Sequence, residues 1–397
     1  MTIYEESTKK RMRKFTTAKI SMLVVCCFST IVFGQADPPL SGFTIQSFDL
    51  LVREMVYDSK RNLVYATVGN NGPHANRLVT ICPRSAQIVG SLSVGLDPEQ
   101  LAISSDCERV YIGVNSERSF RVWAPATGSL SPHHPIFAQF DDPAIAEDLK
   151  VFPGDSSIVV ISADEVGTSI SGELVIYNEF GDEICHMHSG NELIFSDENT
   201  LITHRFNSSQ DIRKHHFDGQ TLTFIDSINS NEIGTGFELI GTGIVSTNGV
   251  VFDPDSLHLL GTFPTFGNPE WIELDDTVYF FSGATLRLFD RNTFLQVDSI
   301  STGFAGSNSR NLVHAGENRL AVSSGNQAGI IYNVPATSKN IDSQLGDVNG
   351  DCEINLEDIA PFVDILISKT YLFEADINQD FIVDLMDVQP FVQALSK

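Results

Sequence analysis

Short runs of β-branched and aromatic residues alternate with clusters of Gly, Asn, Asp and Ser between residues 42 and 335. This alternation is typical of strands and turns, and no long segment of the region has the period of a helix. The pattern repeats roughly every 40 residues. In its clearest copy, strands are predicted at Leu101–Ile103, Val110–Val114 and Phe120–Ala124, followed by a turn at Thr127-Gly128. The region is therefore predicted to be mainly β and repetitive.

The length of the repeat indicates the kind of β fold. Four strands per repeat are expected of a β-propeller blade, because such a small sheet buries both faces only between two neighbouring blades. Seven repeats can be drawn, near 52–96, 97–140, 142–189, 190–230, 231–267, 268–303 and 305–335. The last repeat is one strand short, and Phe43–Leu50 can complete it and close the ring. We predict a seven-bladed β-propeller over residues 42–335; six or eight blades, or a pair of two-sheet sandwiches, are the alternatives.

Two features of the clearest repeat are similar to those of a known repeat family. The turn and strand of Ser105–Ile112 and the pair Thr127-Gly128 resemble those of seven-bladed propellers of the YVTN and WD-repeat type. The resemblance extends over residues 42–335 and implies the same fold. It does not imply a reaction, because propellers serve both binding proteins and enzymes.

The N-terminal residues have the composition of an export signal. Six basic residues between Lys9 and Lys19 precede the apolar stretch Met22–Phe33, which ends in Gly34-Gln35-Ala36. A basic region, a short apolar core and small residues before a cut after Ala36 predict a cleaved signal peptide over residues 1–36. The apolar stretch is shorter than the about 20 residues that span a bilayer. We expect a secreted or cell-surface protein without a membrane span after cleavage; an uncleaved anchor is the alternative.

The chain is strongly acidic, with a formal net charge of −26 and a sequence pI of about 4.6. Such a surface repels phosphate backbones, which argues against a nucleic-acid partner and favours cations. The acid is concentrated near the end of the chain, where twelve Asp or Glu stand against two Lys from Ile341 to Lys397. These carboxylates recur at fixed spacing, which a merely solvated surface does not explain.

The acidic tail contains two similar segments, Asp347–Leu366 and Asp376–Leu395, with nine of twenty positions identical at an offset of 29 residues. Each segment has Asp or Asn at loop positions 1, 3, 5, 9 and 12, and a backbone carbonyl is expected to serve at position 7. This spacing wraps one hard cation of the size of calcium. The predicted ligands of two calcium ions are Asp347, Asn349, Asp351, Glu353, Asn355 and Asp358 in the first loop, and Asp376, Asn378, Asp380, Ile382, Asp384 and Asp387 in the second, with Glu353 and Ile382 at position 7.

A helix is predicted after each loop. Apolar residues spaced i, i+3, i+4 and i+7 form one stripe on each helix: Ile359, Phe362, Val363 and Leu366 on the first, and Val388, Phe391, Val392 and Leu395 on the second. A linker at 336–345 and Gly346 leave no room for an entering helix. A loop with a single exit helix, present twice over residues 346–397, resembles the type I dockerin module. The resemblance implies two bound calcium ions and a protein partner, typically a cohesin, that docks on the helices.

The tail departs from that family at two places. Loop position 6 is normally Gly, because the backbone turns there with positive φ, whereas this chain has Cys352 and Phe381. We expect weaker calcium binding as a result, most of all in the second loop. Leu356-Glu357 and Leu385-Met386 replace the hydroxyl pairs common in cohesin-binding members, so the expected partner is a cohesin-like or another docking protein. An acidic helical hairpin without metal is the alternative.

The sequence leaves two classes of function open. No nucleophile elbow, phosphate loop, dinucleotide fingerprint or zinc-protease helix is visible. The favoured class is an exported, noncatalytic recognition protein, whose propeller binds a polysaccharide or surface ligand and whose tail anchors it in an extracellular assembly. The other is a polysaccharide-degrading enzyme, a glycoside hydrolase or lyase, that carries a dockerin. The spacing of Cys82, Cys107, Cys185 and Cys352 matches no disulfide framework, so these four thiols are expected to be unpaired.

Overall fold

The structure, a computed structural model, describes most of the repetitive region and parts of the tail. The described residues are 43–138, 142–165, 172–188, 190–204, 211–229, 236–241, 243–272, 277–304, 309–316 and 318–334, and, in the tail, 346, 348, 354–368, 375, 377 and 383–395. Within them, no helix is long and apolar enough to cross a membrane. The predicted signal peptide and linker lie outside this part of the chain.

The repetitive region folds into seven antiparallel sheets, one for each predicted repeat. The strands of blades 1 to 4 are β2 (Val52–Asp58), β3 (Leu63–Val68), β4 (Arg77–Cys82) and β5 (Gln87–Ser93); β6 (Pro98–Ile103), β7 (Val110–Val114), β8 (Ser119–Ala124), β9 (Ser129–Leu130) and β10 (His134–Pro135); β11 (Ala144–Val151), β12 (Ile158–Glu165), β13 (Glu173–Asn178) and β14 (Glu183–His188); and β15 (Glu192–Phe195), β16 (Thr200–His204), β17 (Asp211–Phe217) and β18 (Leu222–Asn229). A short 3-10 turn, Asn115–Glu117, follows β7.

The strands of blades 5 to 7 continue the same order. They are β19 (Phe237–Ile240), β20 (Gly243–Ser246), β21 (Val250–Phe252) and β22 (Leu259–Thr262); β23 (Asn268–Ile272), β24 (Thr277–Ser282), β25 (Thr285–Asp290) and β26 (Gln296–Ser301); and β27 (Ser309–His314), β28 (Leu320–Ser324) and β29 (Gln327–Tyr332). The prediction of a mainly β chain with a seven-bladed propeller is therefore confirmed.

The last blade takes its fourth strand from the opposite end of the domain. β1 (Thr44–Phe48) pairs antiparallel with β29, from Thr44 opposite Tyr332 to Phe48 opposite Ala328. This is the closure expected of Phe43–Leu50. This pairing joins the two ends of the domain. The ring is therefore closed by hydrogen bonds between strands that are far apart in the sequence.

The core of the propeller lies between the blades. Phe120 of blade 2, for example, packs in one cluster with Val159 and Val175 of blade 3. Every residue of β7, β16, β20 and β28 is buried. These strands are covered on both faces by neighbouring sheets, which is why β7, β20 and β28 are continuous runs of apolar or small residues without the alternation of a half-exposed strand.

Aspartates shape the turns between strands. In the repeat that carries the family resemblance, the Asp106 carboxylate accepts hydrogen bonds from the Ser104 hydroxyl (2.5 Å) and the Glu108 amide (3.0 Å). Burial opposes the charge of Asp106, but these bonds outweigh it and lower its pKa. The side chain thus replaces a backbone turn partner, as Asp does in an Asx turn.

The described part of the tail contains two short helices, α1 (Ile359–Ser368) and α2 (Val388–Ala394), and the turn Leu356–Asp358 leads into α1. Their core contains Phe362 and Phe391, with Ile365 and Leu366 packed against it. Three members of the predicted stripes, Ile359, Val363 and Val392, are instead exposed. Each predicted stripe is therefore divided between residues that pack in the core, such as Phe362 and Phe391, and residues that face outward.

The prediction that all four cysteines are unpaired is wrong for Cys82. Cys107 and Cys185 are free, but Cys82 is disulfide-bonded. Cys352 also lies outside that part of the chain. Spacing along the sequence cannot reveal a pairing that depends on which residues the fold brings together.

Candidate functional site

The first strands of the seven blades surround a central channel. Each contacts the first strand of the next blade, from β2 through β6, β11, β15, β19 and β23 to β27, which returns to β2. Each contributes an acidic or amide residue that lines the channel and stands immediately before an apolar residue in the sequence. We call this set the inner ring: Glu54, Gln100, Asp148, Glu192, Glu238, Glu270 and Asn311.

Several members of the inner ring bind neighbouring blades to each other. Three carboxylates accept a hydrogen bond from a backbone amide of the next blade: Glu54 from Leu101 (3.1 Å), Asp148 from Leu193 (2.8 Å) and Glu270 from His314 (3.1 Å). The Asn311 amide donates to the Arg53 carbonyl at 3.1 Å, across the seam where the ring closes. These four residues therefore have a structural role that explains their polarity.

Lys150 places a positive charge inside the ring. Its Nζ lies 3.2 Å from Asp148 Oδ1. Burial favours the neutral amine, but the charges of Asp148, Glu238 and Glu54 outweigh it, so the pKa of Lys150 lies above its ordinary value. The guanidinium group of the other nearby cation, Arg53, forms ion pairs with Asp97 (3.5 Å) and Glu99 (3.8 Å). Among the described residues, Lys150 and Arg53 both line the polar part of the channel, and Lys150 is the one that forms an ion pair with a ring carboxylate.

Burial changes the protonation of the ring. It raises the pKa of Glu54 to about 8, although the charge of Lys150 acts in the opposite direction. It also raises the pKa of Glu270 to about 8, despite two backbone hydrogen bonds to that carboxylate. The pKa of Glu192, which is partly buried, is raised by the same cause. A buried carboxylate without a full counter-charge holds its proton, because the ionised form is poorly solvated.

The channel has a polar half and an apolar half. A cavity of about 290 Å³ is lined mainly by polar groups, among them Gln100, Glu147 and Asn311. A second cavity, of about 460 Å³, is lined by apolar side chains such as Ile103 and Leu239. Glu54, Lys150 and Glu238 line both, so the charged ring lies where the two halves meet. The arrangement suits a ligand with one polar and one apolar end.

Sequence reasoning did not identify the inner ring. The available signal was an acidic or amide residue directly before an apolar one at the start of every repeat, from Glu54-Met55 to Asn311-Leu312. The repeats are too degenerate for that pattern to stand out from the many other Asp and Glu residues. Only the closed ring brings the seven positions to one axis.

Four of the twelve predicted calcium ligands lie in the described part of the tail. Asp358 Oδ2 accepts from the Asn355 amide at 2.9 Å, and Asp387 Oδ2 accepts from the Asp384 amide at 2.9 Å. Asp358 and Asp387 are both fully buried. The remaining eight lie outside the described residues: Asp347, Asn349, Asp351, Glu353, Asp376, Asn378, Asp380 and Ile382. Within the described part, no three potential ligands come together as a metal site.

The tail helices also expose a set of large apolar side chains, which we call the apolar face. Its members are Leu356, Ile359, Val363 and Ile367 on and before α1, and Leu385, Met386 and Val392 on and before α2. The first four are spaced at three or four residues, so they lie along one side of a helix. Leu356 and Leu385, at equivalent positions of the two halves, are 75% and 81% exposed.

Comparisons with known proteins identify the fold and nothing finer. No family model matches the chain, and no curated protein matches it. Among solved structures, the chain is similar to the Myceliophteria thermophila Cps50 (Swd1) β-propeller domain, with a TM-score of 0.56 and 10% sequence identity, over 73% of this chain and 99% of that one. This chain contains a seven-bladed β-propeller. At such low identity the similarity extends to the fold alone.

Proposed function

We propose that this chain is an exported, noncatalytic binding protein whose tail binds two calcium ions and docks on a protein partner. In this proposal the propeller recognises a ligand, and the tail holds the protein in a cell-surface or extracellular assembly. The observation that carries the proposal is the apolar face of the tail helices. The N-terminal composition supports export.

The apolar face supports docking because the exposure of apolar side chains to water is unfavourable, and a partner would cover them. Leu356 and Leu385, like Val363 and Val392, occupy equivalent positions of the two halves, so each half presents a similar surface. Contiguous exposed apolar surface on a soluble domain commonly marks a contact site for another protein. A helix with anchors spaced at three and four residues suits a groove on a partner, as expected for a cohesin-like or another docking protein.

The duplicated helix starts support calcium binding. The Asn355–Asp358 and Asp384–Asp387 pairs have matching hydrogen bonds at an offset of 29 residues. In each pair the second carboxylate is buried at predicted loop position 12, the last ligand of such a loop. The two halves therefore repeat the same arrangement at the position that supplies the last oxygen ligand in each predicted calcium loop.

A binding experiment tests the docking role. The full chain, with calcium, is titrated with a type I cohesin module by calorimetry, and the titration is repeated with chelator. We expect binding only with calcium, and at least a tenfold loss in the Leu356→Asp, Leu385→Asp double variant. Phe180→Asp, at an equally exposed site on the propeller, is the control. No binding to the cohesin would exclude that partner, and unchanged binding by the double variant would contradict docking through the apolar face.

A polysaccharide-degrading enzyme is the second candidate, and the convergence of carboxyl groups on the channel favours it. Glycosidases use one protonated and one ionised carboxyl group on either side of the scissile bond. Glu54 and Glu270, however, accept backbone hydrogen bonds that tie blades together, which gives them another task. Activity of the full chain on a polysaccharide panel, lost in Glu192→Gln or Glu238→Gln, would establish the enzyme and overturn the noncatalytic proposal.

A further inference from the structure

We propose that a disulfide joins Cys82 of blade 1 to Cys352, at position 6 of the first predicted calcium loop, and so cross-links the tail to the propeller. The inference deepens the proposed function, because it states which part of the propeller holds the docking module. It rests on that proposal only for export, since cleavage of the signal peptide decides which cysteines the mature chain keeps. It does not require that the tail bind calcium.

The count of cysteines leaves few partners for Cys82. The chain has six cysteines, of which Cys107 and Cys185 are free and Cys82 is disulfide-bonded. Three others remain, namely Cys26, Cys27 and Cys352. The first two lie in the apolar stretch of the predicted signal peptide, so cleavage after Ala36 removes both. The third is therefore the partner that an exported, mature chain offers.

The path of the chain leads the tail toward Cys82. This residue is the last of β4, the third strand of blade 1, and it is buried. The linker follows β29, the third strand of blade 7, which ends at Tyr332. Blades 7 and 1 are neighbours, because β27 contacts β2. The equivalent ends of their third strands therefore lie on the same side of the ring.

Packing brings these two strand ends into one part of the core. Ile81, next to Cys82 in β4, and Ile330, near the end of β29, belong to one hydrophobic cluster, and Tyr332 packs against it. Cys352 lies outside the described residues, but the length of the chain before it is known. The stretch from residue 334 to residue 346 spans up to about 40 Å when fully extended. The tail can therefore reach the end of β4.

The cross-link gives a reason for an unusual residue of the tail. Position 6 of such a loop is normally Gly, because the backbone is expected to turn there with positive φ, and Cys352 suits that turn poorly. A cysteine at this position loses part of the fit and gains a covalent anchor. Phe381, at the same position of the second loop, has no thiol, so only the first half of the tail is attached.

Formation of the bond needs an oxidant, which an exported chain meets outside the cytoplasm. The thiols of Cys82 and Cys352 lose two protons and two electrons as the S–S bond forms. A second disulfide, on an oxidase or on a small thiol compound, accepts these electrons and protons and becomes two thiols. Burial of Cys82 then shields its sulfur from attack by a reducing thiolate.

Mapping of the disulfide in the mature full chain tests the proposal. Protein recovered after export is unfolded in chelator, its free thiols are alkylated, and it is digested without reductant for mass spectrometry. We expect one pair of peptides joined through Cys82 and Cys352, and alkylation at Cys107 and Cys185. A free Cys82 thiol, or a bond from Cys82 to any other cysteine or to a second chain, would overturn the proposal.

The N-terminus of the same sample separates this inference from the proposal of export. A chain that begins at Asp37 with a free Cys82 thiol contradicts the cross-link alone. A chain that begins at Met1, with Cys82 joined to Cys26 or Cys27, contradicts the cleaved signal peptide and the cross-link together. The mapping is done without calcium, so its result does not depend on metal binding by the tail.

A cut in the linker gives a second readout. Limited trypsin treatment of the native protein should cleave after Lys339, in the predicted linker. On a denaturing gel the cleaved protein should run as one band without reductant and as separate propeller and tail bands with it. Cys352→Ser should release the tail without reductant, whereas Cys185→Ser, which removes a free thiol, should keep it attached. Release of the tail from the parent protein without reductant would contradict the cross-link. If Cys352→Ser does not fold, the peptide map of the parent protein decides alone.

Discussion

Phe362 and Phe391 stack face to face in the tail, with ring centroids 4.0 Å apart and planes inclined by 15°. The two residues stand at equivalent positions of the duplicated segments, 29 residues apart. Both are buried, and the apolar residues Val348, Ala375 and Val383 surround them. The two halves of the tail therefore meet through the same residue of each copy, and this pair joins α1 to α2.

Truncation of this stack should unfold the tail alone. Replacing a buried Phe with Ala costs about 3–5 kcal/mol, and the core of so small a module supplies about the same amount. In Phe362→Ala we expect amide hydrogens of α1 and α2 to exchange rapidly, while those of β7 and β16 keep their protection. Val363→Ala, at a neighbouring exposed position, is the control. Protected helices in Phe362→Ala would show that the stack does not hold the tail together.

Closure of the ring by β1 should stabilise the whole propeller. A Cβ on Gly329 in β29 would lie 2.5 Å from the Gln46 carbonyl oxygen in β1, so Gly329→Ala must push β1 outward. We expect a cost of about 1–3 kcal/mol, seen as one cooperative thermal transition at lower temperature. Gly90→Ala, whose Cβ meets only the Thr80 side chain at 3.1 Å, should have a smaller effect.

Deletion of Phe43–Leu50 extends this test, because it removes the closing strand completely. We expect a larger loss of stability than in Gly329→Ala, spread over all blades in hydrogen exchange. If the thermal transition stays unchanged, or exchange increases in the last blade alone, closure does not stabilise the ring.

The inner ring should make the propeller less stable as pH rises. The pKa values of Glu54 and Glu270 are raised by burial from 4.5 to about 8. Between these values the folded protein holds protons that the unfolded chain has released, so the free energy of unfolding falls from about pH 5 to about pH 8 and then levels off. The charged groups that face them include Asp148, Lys150 and Glu238.

Urea unfolding at constant calcium, repeated from pH 5 to pH 9, measures this slope. The Glu54→Gln, Glu270→Gln double variant removes two titrating groups while keeping an oxygen that accepts the same backbone hydrogen bonds. Its slope between pH 5 and pH 8 should be smaller than that of the parent protein. An equal slope would show that these two carboxyl groups are already ionised at neutral pH.

The propeller could be predicted from sequence because its signal is local and repeated. Buried strands such as Val110–Val114 are continuous apolar runs, and turns such as that at Asp106 carry their own hydrogen-bonding side chains. The missing fourth strand of the last repeat even indicated which segment closes the ring. These features depend on residues a few positions apart, so a single sequence contains them.

The inner ring and the tail surface could not be predicted in the same way. Glu192 and Glu238 are ordinary acidic residues until the ring places them beside Lys150. Phe362 and Val363 both satisfy a helical apolar pattern, but only packing decides that one is buried and the other exposed. The disulfide of Cys82 likewise depends on a distant residue. The helical period in a sequence shows which apolar residues lie close together on a helix. It does not show which of them faces the core.

Calcium stoichiometry of the full chain tests the central claim most directly. Calorimetric titration of chelator-treated protein should show two calcium ions per chain, the first loop binding more tightly because Phe381 fits the turn of the second loop poorly. Asp358→Ala and Asp387→Ala should each remove one ion, while Asp364→Ala, at an exposed position of α1, should keep both. Helix protection in α1 and α2 should rise with calcium. Fewer than one ion per chain, or equal protection with and without calcium, would show that the tail is not a calcium-binding module.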